Sequence, residues 1–259
     1  MVEEILKKHL QACVYAKYDI QISFDMVEVY QPKNHGHGDF TSNIAMKAAK
    51  RLNEKPEVLA SYLKEAMTAQ WHMIQEIEVK SPGFLNFFLS EQWMDICLDE
   101  LQQRLPEIHR RLQKFMMKLD DDVKKNVIES LSREDIKKTQ YVHSRMHSIL
   151  NIFHDEGRFP RQIGDPIPDR HRTEEEKVVI QKIIMYPEVI KVLEEKRDCH
   201  EFLLYLREIA EAFQKFSGPL LLRQMPFSQL AFILQMMDII REIVKNGLTA
   251  FGLAAPEKM

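Results

Sequence analysis

Tyr141, Arg145 and Ser148 recur at intervals of four and three residues, the spacing that stacks side chains on one face of an α-helix. Val142, Met146, Ile149 and Leu150 make the apolar face of the same helix. Such a helix buries one side and offers an aromatic ring, a guanidinium and a hydroxyl from the other, groups that suit a polyanion; the competing reading is a plain solvated surface. Two further stretches offer cations to phosphates or to solvent: Arg104, Arg110, Arg111, Lys114 and Lys118 in an amphipathic segment, and Arg158, Arg161, Arg170 and Arg172 in a loop rich in Pro and Gly. His35, His37 and Asp39 alternate as ligands on an extended stretch do, but no Cys or His cluster completes a metal site, so a turn built on Gly36 and Gly38 is expected instead. No Ser/His/Asp or Cys/His arrangement and no Gly-rich phosphate loop can be picked out, and neither catalysis nor a cofactor nor a metal is expected.

The composition sets outer bounds. A chain of 259 residues with 45% apolar and 29% charged residues is long enough for two domains, each with its own core. Its net charge of −3 argues against a protein that coats nucleic acid without specificity, which needs a broad basic surface. Cys13, Cys97 and Cys199 are odd in number and far apart, so a disulfide framework is not expected and the compartment reads as reducing. The N-terminus carries Glu3 and Glu4 where a targeting peptide has bases, and no apolar run reaches membrane-spanning length; a cytoplasmic protein is expected.

The elements that must hold these residues follow from periodicity. Ile5, Leu6, Leu10 and Cys13 predict a helix from Val2 to about Lys17, and Ile20 to Val29 reads as extended with a turn near Asp25. Pro32 to Phe40 reads as a loop, with Thr41 or Ser42 capping the helix through Ile44, Ala45, Ala48 and Ala49. Ile74 to Val79 and Phe84 to Leu89 should pair as strands around the Ser81-Pro82-Gly83 turn, making residues 1–90 a small α+β domain. Residues 91–131 read as a helical connector. Residues 132–259 read as an all-α helix bundle, with Ser132, Thr173 and Asp198 as N-caps and Gly247 placed to end the last helix, so the fold class is mostly α.

Several of these stretches also resemble a known family. Tyr141-Val142-His143-Ser144-Arg145, Tyr186-Pro187-Glu188-Val189-Ile190, Tyr205-Leu206-Arg207-Glu208-Ile209-Ala210 and the terminal Gly247 to Met259 resemble the DALR-type anticodon-binding domain of arginyl-tRNA synthetase. His37-Gly38-Asp39-Phe40-Thr41-Ser42-Asn43-Ile44-Ala45-Met46 and Ser81-Pro82-Gly83-Phe84-Leu85-Asn86-Phe87 resemble the additional N-terminal domain of that enzyme. The resemblance implies that Phe84 stacks on or wedges beside a base of the tRNA elbow while Asn86 bonds its edge; a core strand position is the alternative for Phe84. It also implies that Tyr141 stacks on an anticodon base, Arg145 holds a phosphate or base and Met259 packs on a splayed base, with His143 structural. Phe232-Ile233 departs from the family's usual Arg-Leu pair.

The family's catalytic signatures are missing. His35-Gly36-His37-Gly38 does not make its His-x-Gly-His motif, and Lys114 to Lys118 sits in a helical segment rather than after a strand. One βαβ unit takes about 30 residues, so a nucleotide-binding sheet has no room between Leu89 and Ser132. The expectation is a non-catalytic tRNA-binding protein, arginine tRNA being its first candidate partner, with a tRNA-modifying enzyme or other protein as the partner of an adaptor role and no membrane partner. The rival is a scaffold or assembly module that has lost RNA binding and uses its Met- and Phe-rich bundle to bind protein.

Overall fold

The computed structural model describes residues 2–32, 37–70, 74–165 and 172–259. Its contacts divide the chain into two units, Met1–Trp93 and Met94–Met259.

In the first unit, helix α1 (Val2–Tyr18) buries Val2, Leu6, Leu10, Cys13 and Val14 along one stripe. The extended stretch expected from Ile20 to Val29 shrinks to strand β1 (Val29–Tyr30), preceded by a 3-10 turn at Phe24–Met26. Gln11 of α1 donates its Nε2 to the Ile22 carbonyl at 2.7 Å, which ties this stretch to the helix through a side chain. Phe40–Ser42, expected as loop and cap, forms strand β2. Ser42 still serves the helix that follows, accepting the Ile44 N–H at 3.2 Å while donating to the Glu28 carbonyl at 2.6 Å.

Strands β3 (Ile74–Lys80) and β4 (Phe84–Leu89) complete an antiparallel sheet in the order β1-β2-β4-β3. Helices α2 (Ile44–Ala49) and α3 (Pro56–Gln70) pack on its strands, and the core includes Phe40, Ile77, Leu85 and Phe87. Gly38 sits at φ +83° where a Cβ would lie 2.6 Å from the Phe87 carbonyl oxygen. Its neighbour Asp39 accepts the Leu89 N–H at 2.8 Å, so the Gly-Asp pair fastens the sheet. His35, of the candidate metal turn, lies outside the described residues, and among the described residues no three His, Cys, Asp or Glu side chains cluster as metal ligands.

The regular elements described in the second unit are all helices: α4 (Glu91–Met116, which begins at the end of the first unit), α5 (Asp121–Ser130), α6 (Arg133–Asp155), α7 (Glu174–Ile184), α8 (Tyr186–Lys196), α9 (Cys199–Ser217) and α10 (Phe227–Ala250). The expected caps form. Ser132, Thr173 and Asp198 accept the N–H groups of Asp135, Glu176 and Glu201 at 3.0, 3.2 and 3.0 Å. Helices α6, α9 and α10 pack on one another, and α7 and α8 lie against α9. No described helix is long and apolar enough to cross a membrane.

Two expectations fail for reasons of packing. Gly247 does not end α10, which runs to Ala250; it lets the helix approach α9, since a Cβ would lie 2.4 Å from Leu206 Cδ1. Arg161 and Arg172, offered to phosphates by the sequence, turn inward. Arg161 donates to Asp99 at 2.5 Å and to Gln235 at 3.1 Å, and Arg172 pairs with Asp95 and lies 3.6 Å from Glu176. Removing the Asp99 carboxylate by Asp99→Ala strands a buried guanidinium, and the expected loss is about 3 kcal/mol, read as a lower urea midpoint; a midpoint equal to that of the parent protein would show that the pair contributes nothing.

Candidate nucleic-acid interface

In the first unit, strand alternation sends Leu85 and Phe87 into the core and puts Phe84, Asn86 and Phe88 together on the opposite face. The register sets Thr41 opposite Asn86 on one side and Glu78 opposite it on the other, with Lys80 opposite Phe84 and Tyr30 opposite Thr41. Phe84 and Phe88 are half-buried and Tyr30 is exposed. Asn86 is only 2% exposed: its Oδ1 accepts the Thr41 hydroxyl at 2.7 Å, and its Nδ2 has no hydrogen-bond partner among the described residues. Thr41 and Tyr30 escape a reading of the sequence as neighbours of this face because strands of two and three residues leave no periodic signal.

In the second unit, the Ser132 cap starts α6, and Val142, His143, Met146, Leu150 and Phe153 form its buried side. Tyr141 stands 46% exposed and Arg145 half-exposed on the other side. Both belong to a longer ridge than the Tyr-Arg-Ser spacing indicates. Arg133, Lys137, Tyr141 and Arg145 follow at steps of four, about 6 Å apart along the axis, and Ser148 and Ile152 continue the exposed surface. Arg133, Lys137 and Arg145 make no ion pair among the described residues, whereas the next residue along, Lys138, pairs with Glu134 at 2.9 Å. A basic row interrupted by one tyrosine presents point charges to phosphates and a ring face to a base. The Ser148 hydroxyl is donated to the Ser144 carbonyl at 3.0 Å, leaving it an acceptor only.

Met259 reaches this region by way of the tail. Gly252, at φ +73°, follows the end of α10, and the chain then runs along α6. Gln140 Nε2 donates to the Ala254 carbonyl at 2.7 Å, His143 Nδ1 to the Pro256 carbonyl at 2.9 Å, and His147 Nε2 lies 3.5 Å from Glu257. The helix that carries Tyr141 and Arg145 therefore holds the last residues of the chain, and Met259 is left 66% exposed. His143 is structural, as expected. Tyr186 and Tyr205 are also structural: they are buried and stacked, with centroids 6.2 Å apart, and burial raises the pKa of both phenols. Phe232 is buried as well, with the Arg172 guanidinium 5.4 Å from its ring centroid, so this position offers nothing to a ligand.

With this geometry in place, two known families account for most of the chain. Residues 1–89 match the arginyl tRNA synthetase N terminal domain, and residues 139–259 match the DALR anticodon binding domain. The chain carries both domains. Among curated relatives it is similar to the arginine--tRNA ligase of Acetivibrio thermocellus, 33% identical over 102 residues, which is 39% of this chain and 18% of that one. It is also similar to the arginine--tRNA ligase of Pseudomonas paraeruginosa, 44% identical over 73 residues, 28% of this chain and 12% of that one. Among solved structures, Thermus thermophilus arginyl-tRNA synthetase matches with a TM-score of 0.40 and 22% identity, over 47% of this chain and 20% of its own. The chain thus matches less than a fifth of the length of either curated relative. The stretch outside both families, residues 90–138, holds α4, α5 and the start of α6 and no strand.

Burial of the His143 ring makes the fold sensitive to acid, even though its bond to the Pro256 carbonyl favours the cation. Burial lowers the His143 pKa from 6.5, and His147, Arg241 and Lys245 disfavour its cation further. The unfolded chain binds a proton that the folded imidazole refuses, so stability falls as pH drops below about 6.5. His9 and His109 are shifted downward too, by burial, and add to the same slope. Urea midpoints for the parent and His143→Gln at about pH 7.5 and about pH 5.5 should show a smaller acid-induced fall in the variant; equal falls would show that His143 plays no part in it.

Proposed function

We propose that this protein binds tRNA and does not aminoacylate it. The observation that carries the reading is the ridge of Arg133, Lys137, Tyr141 and Arg145, whose cations form no ion pair among the described residues and which runs into the DALR anticodon binding domain matched at 139–259. A second domain of a kind named for arginyl tRNA synthetase supports it, with Phe84 and Phe88 half-exposed on one face of its sheet. Tyr141 stacks on an anticodon-loop base, Arg145 holds a phosphate or base beside it, and Met259 covers a splayed base from the tail. Phe84 meets the elbow of the same tRNA, while Asn86, 2% exposed and bonded to Thr41, supports the strand face beneath it rather than reaching a base edge. Arginine tRNA is the first candidate because the curated relatives bear its name. The helical stretch at 90–138 supports a role without chemistry, since it contains no sheet for a nucleotide. An adaptor in the cytoplasm, presenting the tRNA to a modifying enzyme, fits that role.

A second reading, a protein-binding module, is favoured by one feature. Ile149, Ile152 and Phe153 of α6 and Leu220 to Leu222 line an apolar groove of about 480 Å³, with Leu221 largely exposed.

Filter binding against arginine tRNA and an unrelated tRNA separates the two. The RNA reading expects tighter binding of arginine tRNA and a loss of about 1–3 kcal/mol on Tyr141→Ala. Arg145→Ala should make the salt dependence shallower by about 0.7 for each phosphate it no longer neutralises. Weak, equal binding to both tRNAs, unchanged in either variant, would overturn it, as would arginine-dependent ATP turnover by the purified chain.

A further inference from the structure

We infer that the cleft between the C-terminal ends of α4 and α8 is a second phosphate-binding site, one that seats a nucleotide of an RNA strand. It lies within the second unit and has a volume of about 420 Å³, inside the range of about 300–1,000 Å³ usual for small-ligand pockets. Arg111, Lys114, Lys118 and Arg197 line it, with Phe115 and Leu119 as apolar walls and Glu194 as the single carboxylate.

The charge balance argues for an anion. Glu194 is taken up by Arg111, which pairs with it through two guanidinium nitrogens, Nε at 3.4 Å from Oε1 and the second on Oε2. Lys114, Lys118 and Arg197 have no ion pair among the described residues, although α4 and α8 form such pairs elsewhere, as in Arg104 with Glu100 and Lys191 with Glu188. Four cations against one carboxylate leave three positive charges in the cleft. The two helix C-termini contribute about half a negative charge each, so about two positive charges remain for a ligand. Helix dipoles alone explain one or two cations at such a place but not three left unpaired around a concave space.

Arg197 adds an independent sign. It occupies the position after α8 with φ +57°, in the left-handed region that favours glycine or asparagine. The chain places an arginine there against local preference, and its side chain lines the cleft. Phe115 gives a base or ribose an apolar wall, and an arginine fork with two lysines suits a phosphodiester. The cationic half of the cleft, Arg111 to Lys118, lies outside both matched families.

This proposal rests on the RNA-binding reading above, and the experiment keeps the two apart. Binding of tRNA by the full chain is measured across a salt series for the parent, for Lys114→Gln with Lys118→Gln, and for Arg197→Gly, with Tyr141→Ala as the reference. Arg197→Gly relieves the backbone, so it should leave the thermal midpoint unchanged or higher while weakening binding. The lysine pair should weaken binding about tenfold at low salt and reduce the salt slope by about 0.7 for each phosphate released. Parent-like affinity and slope in both, alongside a weakened Tyr141→Ala, would overturn the cleft and leave the tRNA reading standing. Failure of the parent to bind any tRNA would overturn that reading and, with it, an RNA strand as occupant. Adenosine monophosphate and inorganic phosphate, titrated while amide resonances of the cleft are followed, identify the source. Binding of either as tight as that of a single-stranded oligonucleotide would overturn the RNA strand in favour of a free phosphate ligand, and no shift with any of them would overturn the cleft outright.

Discussion

The second unit depends on two buried arginines. Arg161 and Arg172 stand near either end of the connection between α6 and α7, and each reaches a carboxylate one turn from the other on α4, Asp99 and Asp95. Gln235 of α10 joins the first of these, accepting from Arg161 at 3.1 Å and donating to Asp99 at 2.9 Å and Gln102 at 2.8 Å. A buried charge is tolerated only when paired and hydrogen-bonded, so this network admits one register of α4 against α10 and against the long connection. A connection of that length in a bundle is usually loose; here its ends are fastened by charges that have no other place to go.

That constraint decides what is left for the outside. The arginines in the connection, which from composition alone look available to phosphates, include two spent on the interior. Among the cations that form no ion pair within the described residues, Arg133, Lys137 and Arg145 share the α6 ridge and Lys114, Lys118 and Arg197 share the α4–α8 cleft. A protein with a net charge of −3 therefore carries its basic surface as local sites rather than as a coat. The tail works in the same direction. Gln140, His143 and His147 of α6 tie down Ala254, Pro256 and Glu257, which puts the last residues on the same helix as Tyr141 and Arg145. A chain terminus normally frays; this one is held by a helix side that the ridge leaves unused.

In the first unit the comparable constraint is the Gly-Asp approach to β4. Gly38 brings the backbone against Phe87 and Asp39 holds the Leu89 amide, so β2 is placed beside β4 although it is only three residues long. Thr41 then faces Asn86, and the polar pair sits beside Phe84 on the same face.

Much of this is legible from residue order because it is local. The helices that start at Ser132, Thr173 and Asp198 are readable since a cap and an apolar stripe act within a few residues, and β3 and β4 are readable from their turn. The exposed Tyr141 helix face is equally plain, whereas the stretch expected as a connector, 91–131, packs almost entirely within the second unit. What tertiary structure alone decided depends on partners far along the chain: β2 exists through β4, Gly247 is small because Leu206 crosses it, Arg161 and Arg172 are buried because Asp99 and Asp95 wait on another helix, and the cleft of Lys114 and Arg197 forms only where two helix ends meet. Residue order specifies short-range hydrogen bonds and periodicity directly, whereas charge pairing and close packing are settled by which distant surfaces the folded chain brings together.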